Sequence, residues 1–303
     1  MTVVVLAIDA IDQALVDYFD LDELRLQTDR EIETFNYAQK VPYTPEVWTT
    51  VATGLPVEEH DVKDAGTSQW SNPLLELASK ITGRFPEHYR YLLGQFVKEH
   101  TDEDWGFGTT DLDTLFDSEG HYLHNWPGIN NTDVDEVNSL YQDALDAGLS
   151  NAEFDLRLYT IAAQEFEWVE EMLRSRERTS APVNLLGVHT HILDAAGHIY
   201  ADDERHYRQF YEWVAARVEK ITDLLHEDDS LILLGDHGME VEFLGDATPG
   251  QHSWRPHVAS TEDSVPSDVE NVRGWVEQRV SQERHTTEEM DVPEDRLREL
   301  GYI

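Results

Sequence analysis

Apolar positions fall into three short runs separated by longer periodic segments. Val3-Val4-Val5-Leu6-Ala7-Ile8, Val183-Asn184-Leu185-Leu186-Gly187-Val188-His189 and Leu231-Ile232-Leu233-Leu234 are dominated by branched residues and predict strands buried on both faces. Between them the period lengthens. Residues 151–177 carry Phe154, Leu156, Leu158, Ile161, Ala162, Phe166, Val169, Met172 and Leu173 at helical spacing, and a second helix is predicted over about 202–226. Near the start, Ala10 to Phe19 reads as a helix. In Tyr43-Thr44-Pro45-Glu46-Val47-Trp48-Thr49-Thr50-Val51-Ala52-Thr53-Gly54, Thr44 fits an N-cap, Pro45 the first helical position and Gly54 the stop. The free N–H groups at such a terminus favour an anion.

Strands alternating with helices predict an α/β fold, a three-layer α/β/α sandwich around a mostly parallel sheet. The whole chain is expected to form one domain. From about residue 64 to 150 the pattern is irregular, with helices predicted at 86–98 and 136–147 around a polar stretch, and this segment reads as a cap or insertion over the sheet edge. Its His121 and His124 are expected to be surface or packing residues. After residue 262 the chain is acidic, with one helix predicted over Asp268 to Glu283.

Composition changes the picture in two ways. Against 22 basic residues, five of them Lys, the 303-residue chain sets 62 acidic ones, a formal charge of −40. A chain with 40% hydrophobic residues and eight Trp is nevertheless built to fold. Such self-repulsion weakens a fold at low salt, whereas at 1 M salt the Debye length falls to about 3 Å. Adaptation to high salt is therefore expected. The same charge argues against nucleic acid or an anionic membrane as partner. The absence of cysteine excludes disulfides, thiolate chemistry and Cys-ligated zinc. The first apolar run has no basic flank and breaks at Asp9, well short of the roughly 20 residues of a spanning helix, and predicts a cytoplasmic strand rather than a signal peptide.

The candidate chemistry lies where the runs end. Asp9 follows the first, Asp194 and His198 follow the second, and Asp236-His237 follow the third. In parallel sheets, ligand sites form beyond the carboxyl ends of the strands. Asp194 and His198 are four apart, which on a helix brings them within roughly 5–6 Å. Thr44, and His252 in Gly250-Gln251-His252, complete the set. Three carboxylates, three imidazoles and a hydroxyl exceed what one tetrahedral ion needs, and suit two divalent cations about 3.5–4 Å apart, as used for in-line displacement at phosphorus. Zinc or manganese fits this donor mixture, with magnesium or iron as alternatives. The hydroxyl is the candidate nucleophile.

In this order, Asp9, Thr44 within Thr-Pro-Glu-Val-Trp-Thr-Thr-Val-Ala-Thr-Gly, Asp194-x-x-Gly-His198, Asp236-His237-Gly-Met and Gly-x-His252 resemble the alkaline phosphatase superfamily, in particular its type I phosphodiesterase/nucleotide pyrophosphatase branch, in an acidic form of haloarchaeal type. The resemblance implies an alkaline phosphatase-like fold and a phosphohydrolase acting on small-molecule phosphate esters. It implies one metal on Asp9, Thr44, Asp236 and His237 and another on Asp194, His198 and His252. Thr44 would attack phosphorus and form a phosphothreonine that is then hydrolysed. Departures are specific. No Arg follows Thr44-Pro45 as in the sulfatases, and Ala65 stands where nucleotide pyrophosphatases carry a phosphate-binding Asn. Lys63 and Arg255 are the candidate phosphate-binding cations. Two other readings are a metal-dependent phosphosugar mutase, which needs a larger inserted domain, and a non-catalytic relative that binds a phosphorylated ligand or a protein.

Overall fold

The three apolar runs become neighbouring parallel strands. The computed structural model describes residues 1–63, 108–130, 134–280 and 292–301; the helix expected at 86–98 and the segment around Ala65 lie outside the described residues. Its strands are β1 (Val3–Ile8), β2 (Thr28–Glu31), β3 (His121–His124), β4 (Leu185–Thr190), β5 (Ser230–Leu234), β6 (Gly238–Met239), β7 (His252–Ser253) and β8 (His257–Ser260). Six of them form one sheet in the order β2-β8-β5-β1-β4-β3, and β6 and β7 form a separate ribbon. β3, β4, β1 and β5 run parallel, with Val3 level with Leu185 on one side and Ser230 on the other. β8 is antiparallel to both its neighbours.

Every residue of β1 is buried, and alternate side chains serve two cores. Val4, Leu6 and Ile8 face one hydrophobic cluster and Val3, Val5 and Ala7 the other; in β5, Leu231 and Leu233 are divided from Ile232 and Leu234 in the same way. That division is the period of two acting on a strand covered on both sides. The helices are α1 (Gln13–Phe19), α2 (Asp22–Arg25), α3 (Thr44–Thr53), α4 (Val57–His60), α5 (Val134–Ala147), α6 (Asn151–Arg176), α7 (Ile192–Tyr200), α8 (Glu204–Thr222), α9 (Val272–Glu277) and α10 (Glu294–Glu299). Phe154, Leu158 and Phe166 of α6 and Phe210 and Val214 of α8 pack in the first cluster; Val47, Trp48 and Val51 of α3 and Trp275 of α9 pack in the second. The fold is α/β, with a mostly parallel central sheet and helices on both faces.

Several boundaries differ from expectation for local reasons. α1 starts at Gln13 because the Asp12 carboxylate accepts hydrogen bonds from the Ala14 and Leu15 N–H groups and so caps the helix there. Leu156 faces solvent and is not part of the α6 stripe. Ser150 and Glu153 close that helix with a reciprocal capping box. β3 is a parallel edge strand inside the segment expected to be irregular. Its His121 Nδ1–H donates to the Leu115 carbonyl (2.7 Å) and His124 stacks on Trp168, so both are packing residues. The C-terminal helix is shorter than expected: α9 spans Val272–Glu277, preceded by a single 3₁₀ turn. No described helix is long and apolar enough to cross a membrane.

His60, only 4% exposed, closes α4 over α3. Its Nδ1 accepts from the Val62 N–H (3.2 Å), which leaves the proton on Nε2, 3.0 Å from Thr50 Oγ1. Burial pushes its pKa down to about 4 from the ordinary 6.5. A histidine held neutral in the folded state contributes stability above pH 6.5, and this is lost as pH falls toward 4, because the unfolded chain takes up the proton first. Urea midpoints of the wild type should therefore fall more steeply between pH 6.5 and 4 than those of His60→Gln; equal slopes would contradict this.

Candidate active site

The sheet delivers the site at one edge. Asp9 leaves the end of β1, and β4 and β5, which flank it, end next to His191 and Asp236-His237. β6 and β7 fold back over this edge and bring His252 level with Met239. α7 carries Asp194 and His198 one turn apart. Thr44 is the first residue of α3, whose N-cap is Tyr43, so its hydroxyl is not engaged in capping as the sequence suggested. The structure thus brings together all seven residues singled out above.

Distances define two linked groups. His237 Nε2 lies 3.0 Å from Asp9 Oδ1 and 3.5 Å from Asp236 Oδ2. Thr44 Oγ1 donates to Asp9 Oδ1 at 3.4 Å and lies 3.3 Å from His237 Nε2. In the second group, Asp194 Oδ1 is 3.2 Å from His198 Nε2 and 3.5 Å from His252 Nε2. The His237 and His252 rings stack at 3.6 Å between centroids and join the groups. Two residues that the sequence reading passed over stand behind Asp9. His191 Nδ1 is 2.7 Å from Asp9 Oδ2, and His189 Nε2 is 3.6 Å from the same oxygen. The available signal was His189-Thr190-His191, two imidazoles at the period of a strand, located where β4 runs out.

Burial gives this set its electrostatic character. Asp9, Asp236 and His237 are all at most 1% exposed. Burial and the negative charge of Asp9 push the Asp236 carboxyl up to about 8. For Asp9, burial acts upward but is outweighed by hydrogen bonds from His189, His191 and His237, which hold it well below the usual carboxylate range. His237 rises to about 10, because the charges of Asp236 and Asp9 outweigh the opposing effect of burial. The charge of Asp194 raises His198 to about 9. In turn, His198 and His252 hold Asp194 low against the opposing effect of its own burial. Three carboxylates gathered in low dielectric demand positive charge, and protonated imidazoles are one source of it.

Divalent cations are the other source, and the donor set fits them. Side chains of Asp9, Asp236 and His237 offer ligand atoms within 4.8 Å of one another, as do those of Asp194, His237 and His252, and of Asp9, His189 and His191. The imidazoles are also oriented for it. Nδ1–H donates to a backbone carbonyl in His237 (Gly238, 2.9 Å), His198 (Gly250, 2.8 Å) and His252 (Pro42, 2.9 Å), which turns each Nε2 toward the carboxylates. Metal-ligating histidines are held in this way through their other ring nitrogen. Of the two cations suggested for phosphate binding, Arg255 is committed elsewhere: its Nε donates to Asp12 (3.1 Å) and its terminal nitrogens to Asp246 (2.8 and 2.9 Å). Lys63 pairs with Asp61.

The family model for type I phosphodiesterase / nucleotide pyrophosphatase matches residues 37–299. The chain belongs to that family. With it, the chain is a metal-dependent hydrolase of phosphoric esters. No match is found among curated proteins. Among solved structures, the chain is similar to alkaline phosphatase from the Antarctic bacterium TAB5 (10% identity, TM-score 0.41, 92% of this chain and 97% of that one). It is also similar to phosphonoacetate hydrolase from Sinorhizobium meliloti 1021 (16% identity, TM-score 0.36, 79% of this chain and 56% of that one).

Close packing fixes the angle at which α7 presents Asp194 and His198. A Cβ at Gly197 would stand 2.7 Å from Met239 Cε and 2.8 Å from Tyr207 Oη, both side chains being fully buried. Gly197→Ala is expected to cost about 1–3 kcal/mol, the usual size of overpacking. A shift of α7 that relieves the clash would displace Asp194 and His198, so divalent-metal affinity is expected to fall too. Urea denaturation and a metal titration check both, and unchanged affinity would show that α7 does not move.

Proposed function

We propose that the chain is a phosphodiesterase or phosphomonoesterase in which Thr44 is the nucleophile, acting beside two divalent cations through a phosphothreonine. The observation that carries the reading is the Thr44 hydroxyl itself, 3.4 Å from Asp9 Oδ1 and 3.3 Å from His237 Nε2 at the first turn of α3, with no capping role to occupy it. In this reading Asp9, Thr44, Asp236 and His237 hold one cation and Asp194, His198 and His252 the other, zinc or manganese suiting the mixture of oxygen and imidazole nitrogen. Bound cations would stabilise charge on the attacking and leaving oxygens and lower the pKa of the hydroxyl.

The chain's own groups position the rest. Asp9 Oδ1 accepts the Thr44 hydrogen bond, while His191 and His189 fix the other Asp9 oxygen. As the Thr44 Oγ1–P bond forms, the bond from phosphorus to the leaving oxygen breaks; Thr44 gives up its proton to solvent and the leaving alcohol takes one from water. Water then cleaves the phosphothreonine and returns Thr44. Residues 64–150, which contribute β3 to the sheet edge, select the leaving group within a single domain. The acidic surface belongs to a salt-adapted protein of haloarchaeal type, with zinc or manganese as its metal.

The test is hydrolysis of mono- and bis-nitrophenyl phosphate with Mn²⁺ or Zn²⁺ in molar KCl, followed by an acid quench and peptide mass analysis. A phosphoryl group on the peptide containing Thr44 is expected, and turnover that never labels it overturns the reading. Raising KCl from about 0.1 M to about 1 M shortens the Debye length from about 10 to about 3 Å, so kcat and Tm should both climb. A protein equally stable at both concentrations is not salt-adapted.

A further inference from the structure

The cavity beside Thr44 has a second wall that the metal-site residues do not supply. It is about 160 Å³ in volume and is lined by Asp9, Thr44, Asp194 and His198 of the candidate site together with Asn138 and Tyr141 of α5. α5 is fixed there by Val137 and Leu140, which are buried in the same core cluster as α6. Tyr141 packs its ring near Phe154, with centroids 6.1 Å apart, and its hydroxyl oxygen is shielded from solvent yet makes no hydrogen bond among the described residues. A buried hydroxyl without a partner is destabilising by itself, so a group retained at the wall of a polar cavity asks for a ligand atom.

The geometry points to Tyr141 as a neutral hydrogen-bond donor to a phosphoryl oxygen of the bound ester, in the cavity it shares with Thr44, Asp9, Asp194 and His198. This rests on the phosphoesterase reading above. Burial, together with the charges of Asp194 and Asp9, raises the Tyr141 phenol well above its ordinary value and keeps its proton in place. A neutral donor suits this position, because an anionic ester in a protein of charge −40 gains nothing from further negative groups. A donor fixed on a packed helix requires no reorganisation as charge develops on the phosphoryl oxygens. Asn138, three residues earlier and on the same helical face, offers an amide to the same space.

Tyr141→Phe keeps the ring and removes only the unpartnered oxygen. In metal-loaded protein in molar KCl, kcat/KM for mononitrophenyl phosphate should fall about 10- to 100-fold, the range for a hydrogen bond to a charged group. Tm should hold or rise, and bound metal per chain should be unchanged. A merely structural tyrosine would lower Tm along with activity. A kcat/KM within twofold of wild type overturns the assignment, and so does a loss of bound metal in the variant, which would tie the hydroxyl to the cations instead. Thr44→Ala, run in parallel, separates this from the parent reading: if Thr44→Ala turns over normally, that reading fails whatever Tyr141→Phe does. Should the wild type hydrolyse none of the esters, calorimetric titration with inorganic phosphate decides instead. Binding weakened at least fivefold by Tyr141→Phe upholds the assignment; equal binding, or no binding by the wild type, overturns it.

Discussion

Thr44→Ala should lower kcat for phosphate ester hydrolysis by at least about 10³-fold while the protein stays folded and still takes up divalent metal. Removal of an activated nucleophile commonly has an effect of this size, the residue of activity coming from electrostatic stabilisation and binding that remain. The substitution isolates chemistry from folding because of where Thr44 sits. It is the first residue of α3 and caps nothing, and that helix is held by Val47, Trp48 and Val51 inside the second core cluster, with Trp126 Nε1–H donating to the Trp48 carbonyl at 2.9 Å. Ala is also a better helix former than Thr. Circular dichroism and Tm should therefore be close to wild type. Thr44→Ser, which retains a hydroxyl, should keep measurable turnover. If Thr44→Ala works within tenfold of wild type, the phosphothreonine route is excluded and attack by water on the ester takes its place.

What could be read from the chain without coordinates follows from how strongly each residue's neighbours were constrained. β1, β4 and β5 lie at the centre of the sheet and bury both faces, so their sequences had to be continuous apolar runs. β2 and β3 are edge strands, with sequences Thr-Asp-Arg-Glu and His-Tyr-Leu-His that are only partly buried and carry no such run. Their pairing is dictated by the partner strand rather than by their own composition. The antiparallel β8 was hidden for a different reason, since four residues of mixed polarity, His-Val-Ala-Ser, are buried by what surrounds them.

At the site, Asp9, Asp194, His198, Asp236 and His237 stood out because each followed a strand or sat at helical spacing, and Thr44 because it stood at a helix start, whereas His252 had no periodic signal of its own. The supports of these residues did not stand out. Whether His198 and His252 turn Nε2 inward depends on the carbonyls of Gly250 and Pro42, and a carbonyl leaves no trace in a side-chain pattern. Arg255 looked like a free cation next to His252; its engagement with Asp12, itself the cap of α1, depends on a chain crossing of more than 200 residues in sequence. Tyr141 lay on the helix predicted over 136–147, within a segment otherwise irregular, and helical spacing alone did not tie it to Asp194 before the fold did.

Metal removal is expected to have the other large effect. Chelation should abolish turnover and lower Tm together, because the same cations that would stabilise the reacting oxygens also offset the repulsion among Asp9, Asp194 and Asp236. A cation present at about 100 times its Kd adds about 2.7 kcal/mol to stability, which for a chain of this length is roughly 4 °C in Tm. The sign of the pH dependence follows from the groups that must lose protons. Asp236 (about 8), His198 (about 9) and His237 (about 10) all hold theirs above the ordinary range when no cation is bound. Metal must displace those protons, so affinity weakens as pH falls and the Tm difference between loaded and chelated protein should widen from pH 6 to pH 9. Asp236→Asn removes one of the competing protonation sites together with a charged donor, and should both shrink that difference and flatten its pH dependence. Differential scanning fluorimetry across this range, with Mn²⁺ or Zn²⁺ against a chelator, reads all of it at once. A Tm that ignores metal at every pH would mean that the imidazolium groups alone balance the buried carboxylates, and that these side chains are a structural charge cluster.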